Sequence, residues 1–234
     1  MYKFFISLII WPIWFSYTIS SLIIIFLFIF IIPPKKLYIF LRPICWLWCL
    51  FGGQFLNKIN MQPSKKNQPY IYMFNHCSMF DQFMIGAYVE HYLTAVAAIE
   101  IFKYPLWGHV LRRYGIIPIH RKKLKKALNS LSLAEDKLKQ GHSLIIAPEG
   151  TRTINGDLGL FKKGPFHLAK NSGATIIPVG LVGAFEAKKK TDWRIRPGRL
   201  SIKFGNPITK EDYSAMSIFD LKEYVRNQIL KLIN

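Results

Sequence analysis

The sequence predicts an α/β fold: a central, mostly parallel β-sheet flanked by helices, with an N-terminal membrane-embedded helical segment. Two observations predict it. From Tyr70 onward, short β-prone apolar runs alternate with stretches of helical periodicity, the pattern of strands joined by crossover helices. Ahead of them, no charged residue occurs between Lys3 and Lys35, a run long enough for the roughly 20 apolar residues that a helix needs to cross a bilayer.

The elements follow in order. Leu22 to Ile32 is pure hydrocarbon, and Pro33-Pro34 end it because proline cannot continue a helix interior. Lys35-Lys36 then form an interfacial stop. The length of the run, and the prolines and lysines where a small-residue cleavage site would be needed, argue against a cleaved signal peptide. A second apolar stretch, Leu37 to Leu56, carries Arg42, Pro43, Trp46, Trp48 and Gly52-Gly53. Tryptophans favour the membrane–water interface, and Arg42 with Pro43 favours a half-inserted helix over a second full span. Spanning and dipping both stay open for this N-terminal pair. The positive-inside rule places Lys35, Lys36 and Arg42 on the cytoplasmic side, and the rest of the chain with them. The chain thus divides into a membrane-anchoring helical segment, 1–56, and a cytoplasm-facing α/β domain, 57–234. Three cysteines (Cys45, Cys49 and Cys77) are an odd count, which reads as reduced thiols in that setting.

After the polar stretch Gln62 to Gln68, strands are predicted at Tyr70–Phe74, Leu93–Ala97, Gly115–His120, Ser143–Ala147, Thr175–Val182 and Leu200–Phe204. Helices are predicted where Leu124, Leu128, Leu131 and Leu138 recur, stopped by Gly141, and from Met216 to Ile233. Composition narrows the function. At 51% hydrophobic and 15% aromatic residues, the chain is no disordered acidic polymer. Lys and Arg number 32 against 13 Asp and Glu, a net charge of +19 that draws polyanions: nucleic acid, anionic lipid or phosphorylated substrates.

Four segments can carry chemistry. In Asn75-His76-Cys77-Ser78-Met79-Phe80-Asp81, His76 and Asp81 point apart on a regular helix or strand and meet only across a turn. An Asp accepting from one imidazole nitrogen leaves the other able to take a proton. The plain structural alternative is a helix-capping box, Ser78 at the N-cap and Asp81 at N3. Cys77 offers a rival nucleophile beside His76. Second, Pro148-Glu149-Gly150-Thr151-Arg152 opens a strand end into a glycine turn whose backbone N–H groups and arginine suit a phosphate, and Phe161-Lys162-Lys163-Gly164 adds two ammonium groups. Third, Gly115 to Arg121 is an apolar strand emerging into Arg121 and a lysine-rich helix start. Fourth, Ile177-Pro178-Val179 reads as a structural strand end.

Together these segments resemble the glycerolipid acyltransferase family that includes the 1-acylglycerol-3-phosphate acyltransferases. Its Asn-His-x4-Asp motif is similar to Asn75-His76 through Asp81. Its glycine–strand–arginine motif is similar to Gly115 through Arg121, with Pro118 and His120 where the family often has Phe and Asp. Its Glu-Gly-Thr-Arg with a following Phe-x-x-Gly matches Glu149–Arg152 and Phe161–Gly164, and its apolar-Pro-apolar strand matches Ile177–Val179. The resemblance runs from about Tyr70 to Pro207.

The resemblance implies transfer of an acyl group from a thioester, acyl-CoA or acyl-carrier protein, to the free hydroxyl of lysophosphatidic acid, giving phosphatidic acid. His76, oriented by Asp81, would be the general base. Arg152 with the backbone of Gly150 and Thr151 would hold the acceptor phosphate, Arg121 and Lys162 would add positive charge, and Glu149 would orient Arg152 or the turn. Asn75 and Gly164 complete the implied substrate-binding set. No metal or organic cofactor is implied. The implied partners are the phospholipid bilayer, a lysophospholipid acceptor and a thioester donor, with no nucleic acid. Two alternatives stand beside this: acylation of another lysophospholipid or lyso-aminolipid, and a non-catalytic basic module, anchored in the membrane, that binds lipid or nucleic acid. In the latter, charge reversal at Lys122, Lys123, Lys125 and Lys126 would remove function and His76→Ala would not.

Overall fold

The computed structural model describes residues 2–60, 63–64, 69–121 and 123–234. Lys122 and most of the polar stretch Gln62 to Gln68 lie outside the described residues. Helix α1 spans Tyr2–Phe28 and α2 spans Pro34–Phe51, with Pro34 opening α2. The hydrocarbon run therefore leaves the helix at Phe28, before Pro33-Pro34, and its last residues turn the chain: the Ile32 N–H donates to the Phe28 carbonyl at 2.7 Å. Among the described residues, α1 alone is long and apolar enough to cross a membrane.

A seven-stranded sheet follows, among the described residues, in the order β1-β7-β6-β2-β5-β3-β4. Its strands are β1 (Gln54–Lys58), β2 (Tyr70–Phe74), β3 (Leu93–Ala98), β4 (Ile117–Ile119), β5 (Ser143–Ile146), β6 (Thr175–Val182) and β7 (Gly198–Phe204). Neighbours pair in parallel except β6 with β7. Strand β2 is buried along its whole length, as a central parallel strand covered on both faces should be. The helices are α3 (Asp81–Tyr88), α4 (Pro105–Tyr114), α5 (Leu124–Lys139), α6 (Gly164–Ser172), α7 (Ala184–Ala187), α8 (Lys210–Tyr213) and α9 (Ile218–Ile233).

Two expectations change. Gln54 to Leu56, within the predicted anchoring segment, belong to β1, which pairs with β7 far along the chain. Ile177-Pro178-Val179 lies inside β6 and not at its end: Pro178 sits opposite Met73 of β2, one residue before the antiparallel ladder with β7 begins.

The apolar hairpin is built into the domain. Trp14, Leu22, Ile25, Leu37 and Trp48 share one buried cluster with Tyr72, Phe83, Val179 and Leu200. Trp14 donates from Nε1 to the Trp48 carbonyl at 3.0 Å, and Trp11 to the Trp193 carbonyl at 2.9 Å. The Ile195 N–H donates to Ser7 Oγ at 2.9 Å. The opposite face of α1 leaves Phe5, Ile9, Ile19 and Leu27 exposed. That exposed apolar stripe is far larger than the scattered surface apolar residues of a water-surrounded helix.

Candidate active site

Three parallel strands, β6, β2 and β5, lie side by side, so their carboxyl ends converge. Open α/β sheets bind ligands at such ends. The segment after β2 turns sharply into α3. Asp81 opens that helix, with Phe80 at the N-cap, so the capping-box expectation fails. The reason lies in the partners. Ser78 Oγ donates to the Lys188 carbonyl at 3.0 Å, and the Asp81 carboxylate reaches back over the turn. It accepts from the Cys77 N–H at 2.7 Å, from the Ser78 N–H at 3.0 Å and from His76 Nδ1 at 2.7 Å. Asp81 is fully buried, while the His76 side chain keeps 18% of its surface exposed. An Nδ1–H donating to a carboxylate leaves Nε2 as the basic nitrogen, turned from the anchoring bond. No partner holds Nε2 among the described residues.

Neighbouring strand ends brace this turn. Asn75, expected among the substrate-binding residues, is buried. Its amide donates to the Leu181 carbonyl at 2.9 Å and accepts from the Leu181 N–H at 2.8 Å, tying β2 to β6. Glu149, from the segment after β5, accepts from the His76 N–H at 2.6 Å and from the Gly159 N–H at 2.9 Å. The carboxylate thus ties the histidine turn to the β5 loop, and both its oxygens are engaged by backbone. Burial pushes the Glu149 pKa up, opposed by those two N–H bonds. The Thr153 N–H donates to the His76 carbonyl at 2.8 Å, a third tie. Cys77 is buried beside Asp81 and Glu149. Burial, then those carboxylates, raise its thiol pKa, away from the thiolate that a nucleophilic cysteine needs.

The loop after β5 carries the cations. Gly150 has φ +73°, a left-handed conformation that favours glycine. The Lys162 stem lies over it, 3.3 Å from where a Gly150 Cβ would stand, and the Lys162 N–H donates to the Pro148 carbonyl. Thr151 Oγ1 accepts from Lys190 Nζ at 3.0 Å. Arg121, just past β4, has its pKa lowered by burial and, against the pull of Glu100, by the Arg152 guanidinium. Gly164 opens α6, where a Cβ would approach Leu131 of α5 to 2.9 Å; the glycine lets the two helices pack. The structure therefore gathers His76, Asp81, Asn75, Glu149, Gly150, Thr151, Arg152, Arg121 and Lys162 at the carboxyl ends of the parallel strands, with Gly164 in the supporting packing. Sequence reasoning missed Lys188 and Lys190. The signal was there as a lysine run, 188–190, after a buried strand. No group of three or more His, Cys, Asp or Glu among the described residues could hold a metal ion.

A family model described as Acyltransferase matches residues 56–182, more than half of the chain. The chain belongs to the Acyltransferase family. Similar curated proteins include 1-acyl-sn-glycerol-3-phosphate acyltransferases of Cocos nucifera, 34% identical over 164 residues, and of Limnanthes douglasii, 35% over 163. The alignments cover 69% and 67% of this chain but 53% and 58% of those proteins, so the chain matches little more than half of their length. A crystal structure of the 1-acyl-sn-glycerophosphate (LPA) acyltransferase PlsC from Thermotoga maritima superimposes with a TM-score of 0.83. It covers 98% of this chain and 95% of its own at 20% identity, a likeness of fold.

Proposed function

We propose that this chain is an O-acyltransferase that moves an acyl group from a thioester to the free hydroxyl of lysophosphatidic acid, giving phosphatidic acid. The observation that carries the reading is the 2.7 Å bond from His76 Nδ1 to the buried Asp81, with Nε2 held by no partner among the described residues. The relatives named for this reaction support the choice of acceptor.

Nε2 takes the proton of the acceptor hydroxyl as its oxygen attacks the thioester carbonyl, and the buried carboxylate stabilises the imidazolium that forms. The tetrahedral oxyanion collapses, the C–S bond breaks, and the imidazolium returns the proton to the leaving thiolate. A thioester is already activated, so the reaction needs no covalent enzyme intermediate, metal or organic cofactor. Arg152, Arg121, Lys162 and the Gly150–Thr151 backbone hold phosphate, and Glu149 and Asn75 position the two turns. The exposed apolar face of α1 sits in the bilayer that supplies the acceptor. The catalytic domain faces the cytoplasm, where acyl-CoA or acyl-carrier protein is available. About 1 kcal/mol per surface cation near anionic lipid accounts for the basic charge without nucleic acid.

The test is acyl transfer from oleoyl-CoA to lysophosphatidic acid by the full chain in detergent, wild type against His76→Ala. General-base removal is expected to cost about 10²–10⁴-fold in kcat. Turnover that survives His76→Ala would sink the reading.

A further inference from the structure

One more cation stands against the site. Lys188 follows α7 and is only 8% exposed, and lysines are rarely so buried without a partner. Its Nζ donates to the Lys189 carbonyl at 2.7 Å, and no carboxylate lies in ion-pair reach of it among the described residues. An ammonium has three donors, so two find no protein acceptor among the described residues.

The backbone around it bridges both halves of the site. The Lys188 carbonyl accepts from Ser78 Oγ, and the Ser78 N–H donates to the same Asp81 that holds His76. Two residues on, Lys190 Nζ donates to Thr151 Oγ1, next to Arg152. The 188–190 segment thus closes the gap between the histidine turn and the cationic loop. Burial, then the Arg152 guanidinium, lower the Lys188 pKa, with Asp192 pulling the other way. Like charges gathered where water is scarce repel, and a shared anion turns that repulsion into attraction.

We propose that Lys188 binds, together with Arg152, a phosphate group brought by one of the two substrates. The inference rests on the acyl-transfer reading for the identity of those substrates. The phosphate comes from the acceptor's phosphomonoester or from the donor's CoA. A lysine suits this place as a compact charge with rotatable donors beside an arginine fork.

The experiment uses the full chain in detergent with Lys188→Met and Lys188→Arg. Equilibrium binding is measured for lysophosphatidic acid, the matching monoacylglycerol and CoA, alongside KM and kcat. The Met variant is expected to lose about 10-fold or more affinity for one phosphate ligand, the scale of one charge-assisted bond. Monoacylglycerol affinity and the ligand-free unfolding midpoint are expected to stay put, and the Arg variant to restore binding. A loss confined to lysophosphatidic acid assigns the acceptor phosphate; one confined to CoA assigns the donor. Unchanged affinity for both overturns the proposal, as does an equal loss for monoacylglycerol. If the Met variant does not fold, Lys188→Gln supplies the same comparison. Active wild type with an indifferent Lys188 refutes this inference alone. Lys188-dependent binding without wild-type turnover refutes the acyl-transfer reading alone.

Discussion

The turn after β2 and the loop after β5 leave neighbouring strands side by side, yet they are built on opposite plans. In the first, the carboxylate and the amide are bonded from within: Asp81 takes His76 and two backbone N–H groups, and Asn75 takes both backbone groups of Leu181. In the second, Glu149 anchors the backbone, but Arg152 and Lys162 find no carboxylate partner among the described residues. Proton transfer demands a fixed line between donor and acceptor, so its turn is rigid and internally bonded. Anion binding demands unspent charge, so its loop leaves cations for a partner from outside the protein.

The largest blow to that contrast is Asp81→Asn. The amide can still accept from the turn through one oxygen but favours the wrong imidazole tautomer. A loss of about 10³–10⁴-fold in kcat is expected with little change in unfolding midpoint. Retained turnover would reduce the turn to a strut. On the other side, Arg152→Met is expected to raise KM for lysophosphatidic acid about 10–100-fold, one lost charge-assisted bond, while monoacylglycerol kinetics hold steady. A fall in kcat at constant KM would instead place Arg152 at the reacting centre.

The smallest effect probes the tie between the two. Burial raises the Glu149 pKa above its ordinary 4.5, so the folded protein holds that proton more tightly than the unfolded chain. The stability this contributes is fully present below pH 4.5 and is lost as pH rises through the raised folded value. Glu149→Gln removes this dependence. Denaturant unfolding of both proteins across that range is therefore expected to show wild type losing ground to the variant as pH rises. Parallel curves would mean that the carboxyl titrates as it does in the unfolded chain.

Much of this was legible in the chain. β2 and β6 match the predicted runs residue for residue, and α9 begins two residues after the predicted Met216, where Ser217 caps it. Burial of a strand or helix face leaves a local period that any reader can count. β1 was not legible, because Gln54-Phe55-Leu56-Asn57-Lys58 carries little strand pattern and becomes a strand only by pairing with β7. The chemistry-bearing segments were legible as well, since unusual residue types at fixed spacing survive as motifs.

By itself, then, the amino-acid order determined the apolar hairpin, the alternation of strands and helices, and which residues could do chemistry. Beyond the His76–Asp81 pair that the motif implied, only the tertiary structure decided their partners. It sent Ser78 to the Lys188 carbonyl, Glu149 to the His76 backbone, and Asp81 to three donors at once. The reason is strand order. Putting β2 between β6 and β5 makes neighbours of residues more than seventy apart in sequence, and no local period records which strand lies beside which.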